Sequence, residues 1–152
     1  MDVSIEPEAI HANLIATGQE ELFSEMAQPL VLAGKVHDDF ARRVMDREKA
    51  FPTGLPFESF GVAIPHTDPE HVIEPAVAVA TLAEPVEFRV MGEPNQTVSV
   101  TLAFMLALND GHAHLEFLQK VIKLAQNAGG VERMFSARDD RSLFDLVKRF
   151  LT

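Results

Sequence analysis

The sequence predicts an α/β fold, a single-domain sandwich in which a mixed β-sheet carries helices on both faces. Three observations predict it. Short, nearly continuous apolar runs at 62–64, 76–82 and 98–108 read as strands of a buried sheet. Apolar stripes with a 3.6-residue period stand before and after those runs, so helices are available to cover the sheet from two sides. No repeat, low-complexity tract or linker divides the 152 residues, and one domain, 1–152, is expected.

The elements follow in chain order. Thr17-Gly18-Gln19-Glu20 has the pattern of a capping box and predicts a helix start, with Leu22, Phe23, Met26, Leu30 and Val31 on the apolar face. Pro29 removes a helical hydrogen bond, which predicts a kink or an early end, and Gly34 is the expected stop. A second helix over 36–48 buries Val36, Phe40 and Val44, with Asp38 and Asp39 favourably near its positive end. Pro52-Thr53-Gly54-Leu55-Pro56 then ends it as a turn. The strand at 62–64 is followed by strands at 76–82 and 86–90, and the turn-rich stretch 91–96 should fold the last of these antiparallel onto 98–108. A helix after Asn109-Asp110-Gly111 carries Leu115, Leu118, Ile122 and Ala125 as its stripe, and Gly129-Gly130 is its expected stop. Ser142-Leu143-Phe144-Asp145 resembles a second capping box and opens a terminal helix with Leu143, Leu146, Val147 and Phe150 inward.

Composition removes several kinds of chemistry. There is no cysteine, hence no thiolate metal site, redox pair or cysteine nucleophile. Thirteen Lys and Arg against 23 Asp and Glu leave a formal charge of -10, which repels phosphate backbones and anionic lipid, so neither nucleic acid nor a membrane surface is an expected partner. The first residues lack a basic segment followed by an apolar one, and charged residues or histidine break every long apolar run. A cytoplasmic protein without membrane insertion is expected.

Gly61-Val62-Ala63-Ile64-Pro65-His66-Thr67-Asp68 is the most informative segment. A short buried strand ends at a proline and delivers a histidine at its carboxyl edge, where open α/β sheets place their ligand sites. With cysteine absent and no activating pattern around the serines and threonines, His66 is the strongest candidate nucleophile. A neutral imidazole has an unprotonated nitrogen and needs no separate base to act as a nucleophile.

Arg47-Glu48, Phe51-Pro52-Thr53-Gly54-Leu55, Gly61 to Thr67 and His114-Leu115 at a helix start together resemble the type-2 EIIA domains of the bacterial sugar phosphotransferase system. The mannitol, fructose and galactitol EIIA components belong to that group. The likeness runs from about residue 10 to 151 and is nearest to the galactitol branch. It implies that His66 accepts a phosphoryl group from the phosphocarrier HPr and passes it to a cognate EIIB, which serves a membrane EIIC in sugar uptake. It also implies catalytic roles for Arg47 and His114, the first binding phosphate oxygens and the second donating to the phosphoryl group. Each has a plainer alternative, since Arg47 can pair with Asp46 or Glu48 at a helix end and His114 can be a helix-start residue. Thr53 either binds phosphate from its loop or stabilises the turn. Asp68 either orients an imidazole or caps the turn. Phe51, Phe57 and Phe60 form either an apolar rim around His66 or part of the core. No metal or nucleotide cofactor is expected, because the donor is itself a phosphohistidine and no Gly-rich phosphate loop is present.

Two other functions stand beside this one. A regulatory domain, in which the phosphorylation state of His66 controls a partner, would use the same pocket. A metal centre built on His112-Ala113-His114 with Asp68, Asp110, His66 or His71 would need those groups to converge.

Overall fold

The computed structural model describes residues 3–151. Five strands, β1 (Ile10–Leu14), β2 (Gly54–Pro56), β3 (Gly61–Ala63), β4 (Ala76–Val90) and β5 (Glu93–Ala107), form one mixed sheet. β1 lies parallel to β4, β4 antiparallel to β5, β5 parallel to β3 and β3 antiparallel to β2, while Gly54 of β2 also sits beside Val90. Helices α1 (Gln19–Leu32) and α2 (Phe40–Ala50) cover one face, and α3 (Gly111–Ala125), α4 (Ala128–Ser136) and α5 (Asp140–Leu151) cover the other.

The paired stretches 76–82 of β4 and 102–107 of β5 read as continuously apolar because both of their faces are buried. On β4, Ala76, Ala78 and Ala80 meet the α1/α2 side, whereas Val77 and Val79 meet the α3–α5 side. On β5 the large residues Leu102, Phe104 and Leu106 likewise face α3–α5. Small alanines therefore let α1 and α2 approach closely with their own bulky Phe23, Met26 and Phe40. The segments expected as separate strands at 76–82 and 86–90 are one long strand with an irregular register between Thr81 and Val86, and the hairpin to β5 is antiparallel as the turn chemistry predicts.

Several helix boundaries differ from expectation for identifiable reasons. Gly18, not Thr17, is the N-cap of α1, and the Thr17 hydroxyl turns to Glu21 at 3.3 Å instead of capping. α1 runs three residues past Pro29, held by burial of Leu30, and then stops at Gly34 as predicted. That stop is a Schellman motif: Gly34 has φ 73°, its N–H donates to Val31 O, and Lys35 N–H donates to Leu30 O. α2 begins at Phe40 because Val36 pairs with Val72 as an isolated bridge. α3 buries Ala113, Phe117, Val121 and Leu124, which leaves Leu115 53% exposed. Gly129-Gly130 lies inside α4, where Asn127 Oδ1 caps Gly130 N–H at 3.0 Å. A side chain at Gly130 would stand 2.9 Å from Phe150, so that glycine allows α4 to pack on α5. α5 begins before Ser142, whose N–H is capped by Asp139 Oδ1 at 2.8 Å. β1, β2 and α4 have no counterpart in the sequence-based reading.

Candidate active site

His66 stands just beyond β3, and its main chain is stitched to the end of β5. Pro65 O accepts Leu106 N–H at 3.0 Å, and His66 forms a parallel bridge with Leu106. β3 reaches β5 this closely because residue 61 is glycine; a Cβ there would press on the Ser99 carbonyl. The ring is fixed as well. Its Nδ1 lies 2.8 Å from Ile64 O, and since a carbonyl only accepts, Nδ1 carries the proton and Nε2 is left with its lone pair. Burial is the main reason that the His66 pKa falls from 6.5 to about 4; the nearby His114 and Arg47 add to the fall, while the Ile64 hydrogen bond and Asp68 oppose it. At neutral pH His66 is thus an uncharged imidazole with one defined nucleophilic nitrogen.

Two further elements bring their side chains to it. Asp110 caps α3, accepting His112 N–H on its carboxylate at 2.9 Å and His114 N–H on its carbonyl at 3.0 Å. The first turn so fixed presents the His114 ring to that of His66, centroid to centroid 4.4 Å and tilted by 54°. Burial and then Arg47 lower the His114 pKa, so it too is neutral at pH 7 and offers one N–H. From the last turn of α2, Arg47 Nη1 donates to Asp68 Oδ1 at 2.9 Å while its guanidinium lies 4.7 Å from the centre of the Phe51 ring. Arg47 Nε is buried and has no acceptor among the described residues. The site therefore combines a nucleophilic nitrogen, a cation with donors still to satisfy, and a second imidazole. Such a set suits a group whose transition state spreads negative charge over three oxygens.

Some expected contributors stand elsewhere. Thr53 is 2% exposed, and both its N–H and its hydroxyl donate to Glu48 at 2.7 Å. Its one hydroxyl proton is therefore spent on Glu48, an arrangement that fits the turn-stabilising alternative. Of the two alternatives for Phe57 and Phe60, the structure has them as part of the core: they stack on each other at 5.4 Å in the turn before β3, and Phe60 packs edge-on against Phe135 of α4. Phe60 and His66 are six residue steps apart along near-extended chain, roughly 20 Å at full strand rise. Phe51 does stand at the site, 61% exposed beneath Arg47. Asp68 neither caps its turn through its side chain nor bonds to an imidazole; it pairs with Arg47. His112 is exposed while His114 turns onto His66, so the two do not act together, and among the described residues no three His, Asp or Glu groups are gathered as a metal would need.

Two contributors escaped the sequence-based reading. The Ile64 carbonyl has no signal in the sequence, because any residue supplies one. Glu48 was visible in the Arg47-Glu48 pair, but its bond to Thr53 five residues later needed the loop path to be known.

Comparison with known proteins gives a consistent result. Residues 4–150 match the family model described as phosphoenolpyruvate-dependent sugar phosphotransferase system, EIIA 2. A multiphosphoryl transfer protein of Shigella flexneri is 31% identical over 110 residues, which is 72% of this chain; the match spans only 12% of that relative's length. A galactitol-specific EIIA component of Escherichia coli O6:H1 is 24% identical over 127 residues, covering 84% of each chain. Among solved structures, a complex of enzyme IIA and phosphorylated enzyme IIB for mannitol from Escherichia coli contains a similar chain, with a TM-score of 0.74, 20% identity and coverage of 96% of this chain and 99% of that one.

Proposed function

Because this chain belongs to the EIIA 2 family of the phosphoenolpyruvate-dependent sugar phosphotransferase system, we propose that it is a phosphoryl carrier whose His66 accepts a phosphoryl group from phospho-HPr and passes it to a cognate EIIB. The observation that carries this is the 2.8 Å bond from His66 Nδ1 to Ile64 O, which leaves Nε2 as the nucleophile beside Arg47 and His114. In the accepting step the Nε2 lone pair forms a bond to phosphorus as the P–N bond of the donor phosphohistidine breaks, and that bonding pair returns to the donor imidazole. No proton need move on His66, because Nδ1–H stays on the Ile64 carbonyl throughout. The same proton makes the return step favourable: when EIIB takes the phosphoryl group, His66 departs as a neutral imidazole.

Arg47 neutralises charge on the transferring oxygens, with Nε and the second η nitrogen available and Nη1 released from Asp68 as the anion arrives. His114 donates to one oxygen of the long-lived phosphohistidine. Charge neutralisation by a guanidinium makes the step independent of a metal or nucleotide. Phe51 and Leu115, exposed by 61% and 53%, provide the apolar surface on which HPr and EIIB dock in turn. A handover of this kind needs a modest, quickly released interface. The sugar of the cognate permease is galactitol-like, a reading supported by the match to a galactitol-specific EIIA component that covers 84% of each chain.

Incubation with phosphoenolpyruvate, enzyme I and HPr, followed by intact mass and peptide mapping, tests the proposal. One phosphoryl group should appear, on a peptide containing His66, acid-labile and base-stable as a phosphoramidate. His66→Ala should fold and stay unlabelled. Labelling outside residues 61–71 refutes the assignment, and a labelled protein that phosphorylates no EIIB of its own organism favours the regulatory function instead.

A further inference from the structure

Glu48 is a buried carboxylate that the phosphoryl-transfer reading does not use. It is 4% exposed, pairs with no cation among the described residues, and spends both oxygens on a single residue: Oε2 accepts Thr53 N–H and Oε1 accepts the Thr53 hydroxyl, each at 2.7 Å. Burial raises its pKa against the opposing effect of those two bonds. An ionisable group kept in so dry a place is costly, and a loop of this size can be closed by neutral groups.

What the bond closes is informative. On one side of it lies the last turn of α2, where Arg47 precedes Glu48 and Phe51 N–H donates to Arg47 O at 2.7 Å. On the other side lies Gly54, the residue after Thr53, seated so tightly on the β4–β5 hairpin that a Cβ would stand 2.6 Å from the Arg89 carbonyl oxygen. Gly54 O also accepts Met91 N–H at 2.8 Å. The carboxylate thus joins the end of α2 to a rigid point on the sheet. Phe51, which supports the Arg47 guanidinium at 4.7 Å, lies within the closed loop.

We infer that Glu48 and Thr53 form a positioning pair that holds Arg47 in register with His66, so that their two hydrogen bonds contribute to the rate of phosphoryl transfer and not to stability alone. The inference rests on the phosphoryl-carrier function proposed above. It predicts that loss of the clamp lets the guanidinium drift while leaving His66, which is fixed separately by β5, in place.

The test is single-turnover transfer from phospho-HPr across a range of protein concentrations. Thr53→Val keeps the shape and removes the hydroxyl bond; Glu48→Gln keeps the shape and turns an N–H₂ toward one of the two donors. Should Glu48→Gln fail to fold, Thr53→Val carries the test. Displacement of a transition-state donor is expected to cost at least about tenfold in the maximal rate, with the half-saturating concentration little changed. Thr53→Ser, which retains both bonds, should recover most of the rate. In the Arg47→Met background, Thr53→Val should add less than about twofold, because a residue acting through Arg47 has nothing left to act on. A full tenfold loss in that background, or a wild-type maximal rate in Thr53→Val, overturns the inference while wild-type labelling at His66 leaves the carrier function standing. Absence of labelling in the wild-type protein overturns both.

Discussion

Protonation of His66 provides the sharpest quantitative test of the site. Burial against β5, with His114 and Arg47 alongside, brings its pKa from 6.5 to about 4. At pH 5.5 a group titrating at about 4 is about 97% neutral, whereas an ordinary histidine at 6.5 would be about 9% neutral. The accepting rate attributable to His66 should therefore be nearly flat from pH 7.5 to 5.5, where an unperturbed nucleophile would lose about tenfold. The same displacement affects folding with a definite sign. Between 6.5 and about 4 the unfolded chain binds a proton at this position and the folded chain does not, so stability falls as pH drops through that window, by on the order of 3 kcal/mol at most. Histidine ring NMR measures both the midpoint and the tautomer without interference from the titration of HPr, and chemical denaturation of wild type and His66→Gln at pH 7.5 and 5 measures the linked stability. The wild type should lose more stability than the variant over that interval. A midpoint above 6, or a proton residing on Nε2 at pH 7.5, refutes the argument from the Ile64 carbonyl.

Other substitutions separate the remaining roles. Arg47→Met should slow both acceptance and donation by about 10²-fold, as loss of a transition-state donor does, measured by rapid mixing with phospho-HPr and with EIIB. His114→Ala should shorten the life of the phosphohistidine and slow its donation more than acceptance; wild-type transfer to EIIB would make His114 a helix-start residue only. Leu115→Glu and Phe51→Glu should weaken transfer to and from both partners by raising the half-saturating concentration, whereas Phe60→Glu should leave that concentration unchanged, since Phe60 packs on Phe135 away from His66. Gly61→Ala, which drives a methyl group into the Ser99 carbonyl, should cost about 1–3 kcal/mol or more in thermal or urea unfolding and displace His66 with β3.

The sequence by itself determined the fold class, the central hairpin and the identity of His66 as the candidate nucleophile, because these depend on local patterns. Continuous apolar runs mark strands buried on both faces, and a proline-histidine step at the end of such a run marks a sheet edge. Family membership was legible for the same reason, in residues adjacent along the chain. Tertiary structure decided what depends on two segments meeting. On α3 the stripes Leu115-Leu118-Ile122 and Ala113-Phe117-Val121 both have helical period, and only burial in the core between the sheet and α3–α5 selects the second, leaving Leu115 outward and His114 on His66. Gly129-Gly130 reads as a helix stop until Phe150 is known to lie against Gly130. The alternatives for Thr53 and Asp68 stay open in the sequence, because Glu48 2.7 Å from Thr53 and Arg47 2.9 Å from Asp68 are contacts that only the folded chain makes. The tautomer of His66, on which its nucleophilicity rests, comes from a backbone carbonyl that no side-chain code specifies. Period and composition act over a few neighbouring residues, whereas hydrogen bonding, burial and charge at the site are set by which surfaces the folded chain brings within a few ångströms of one another.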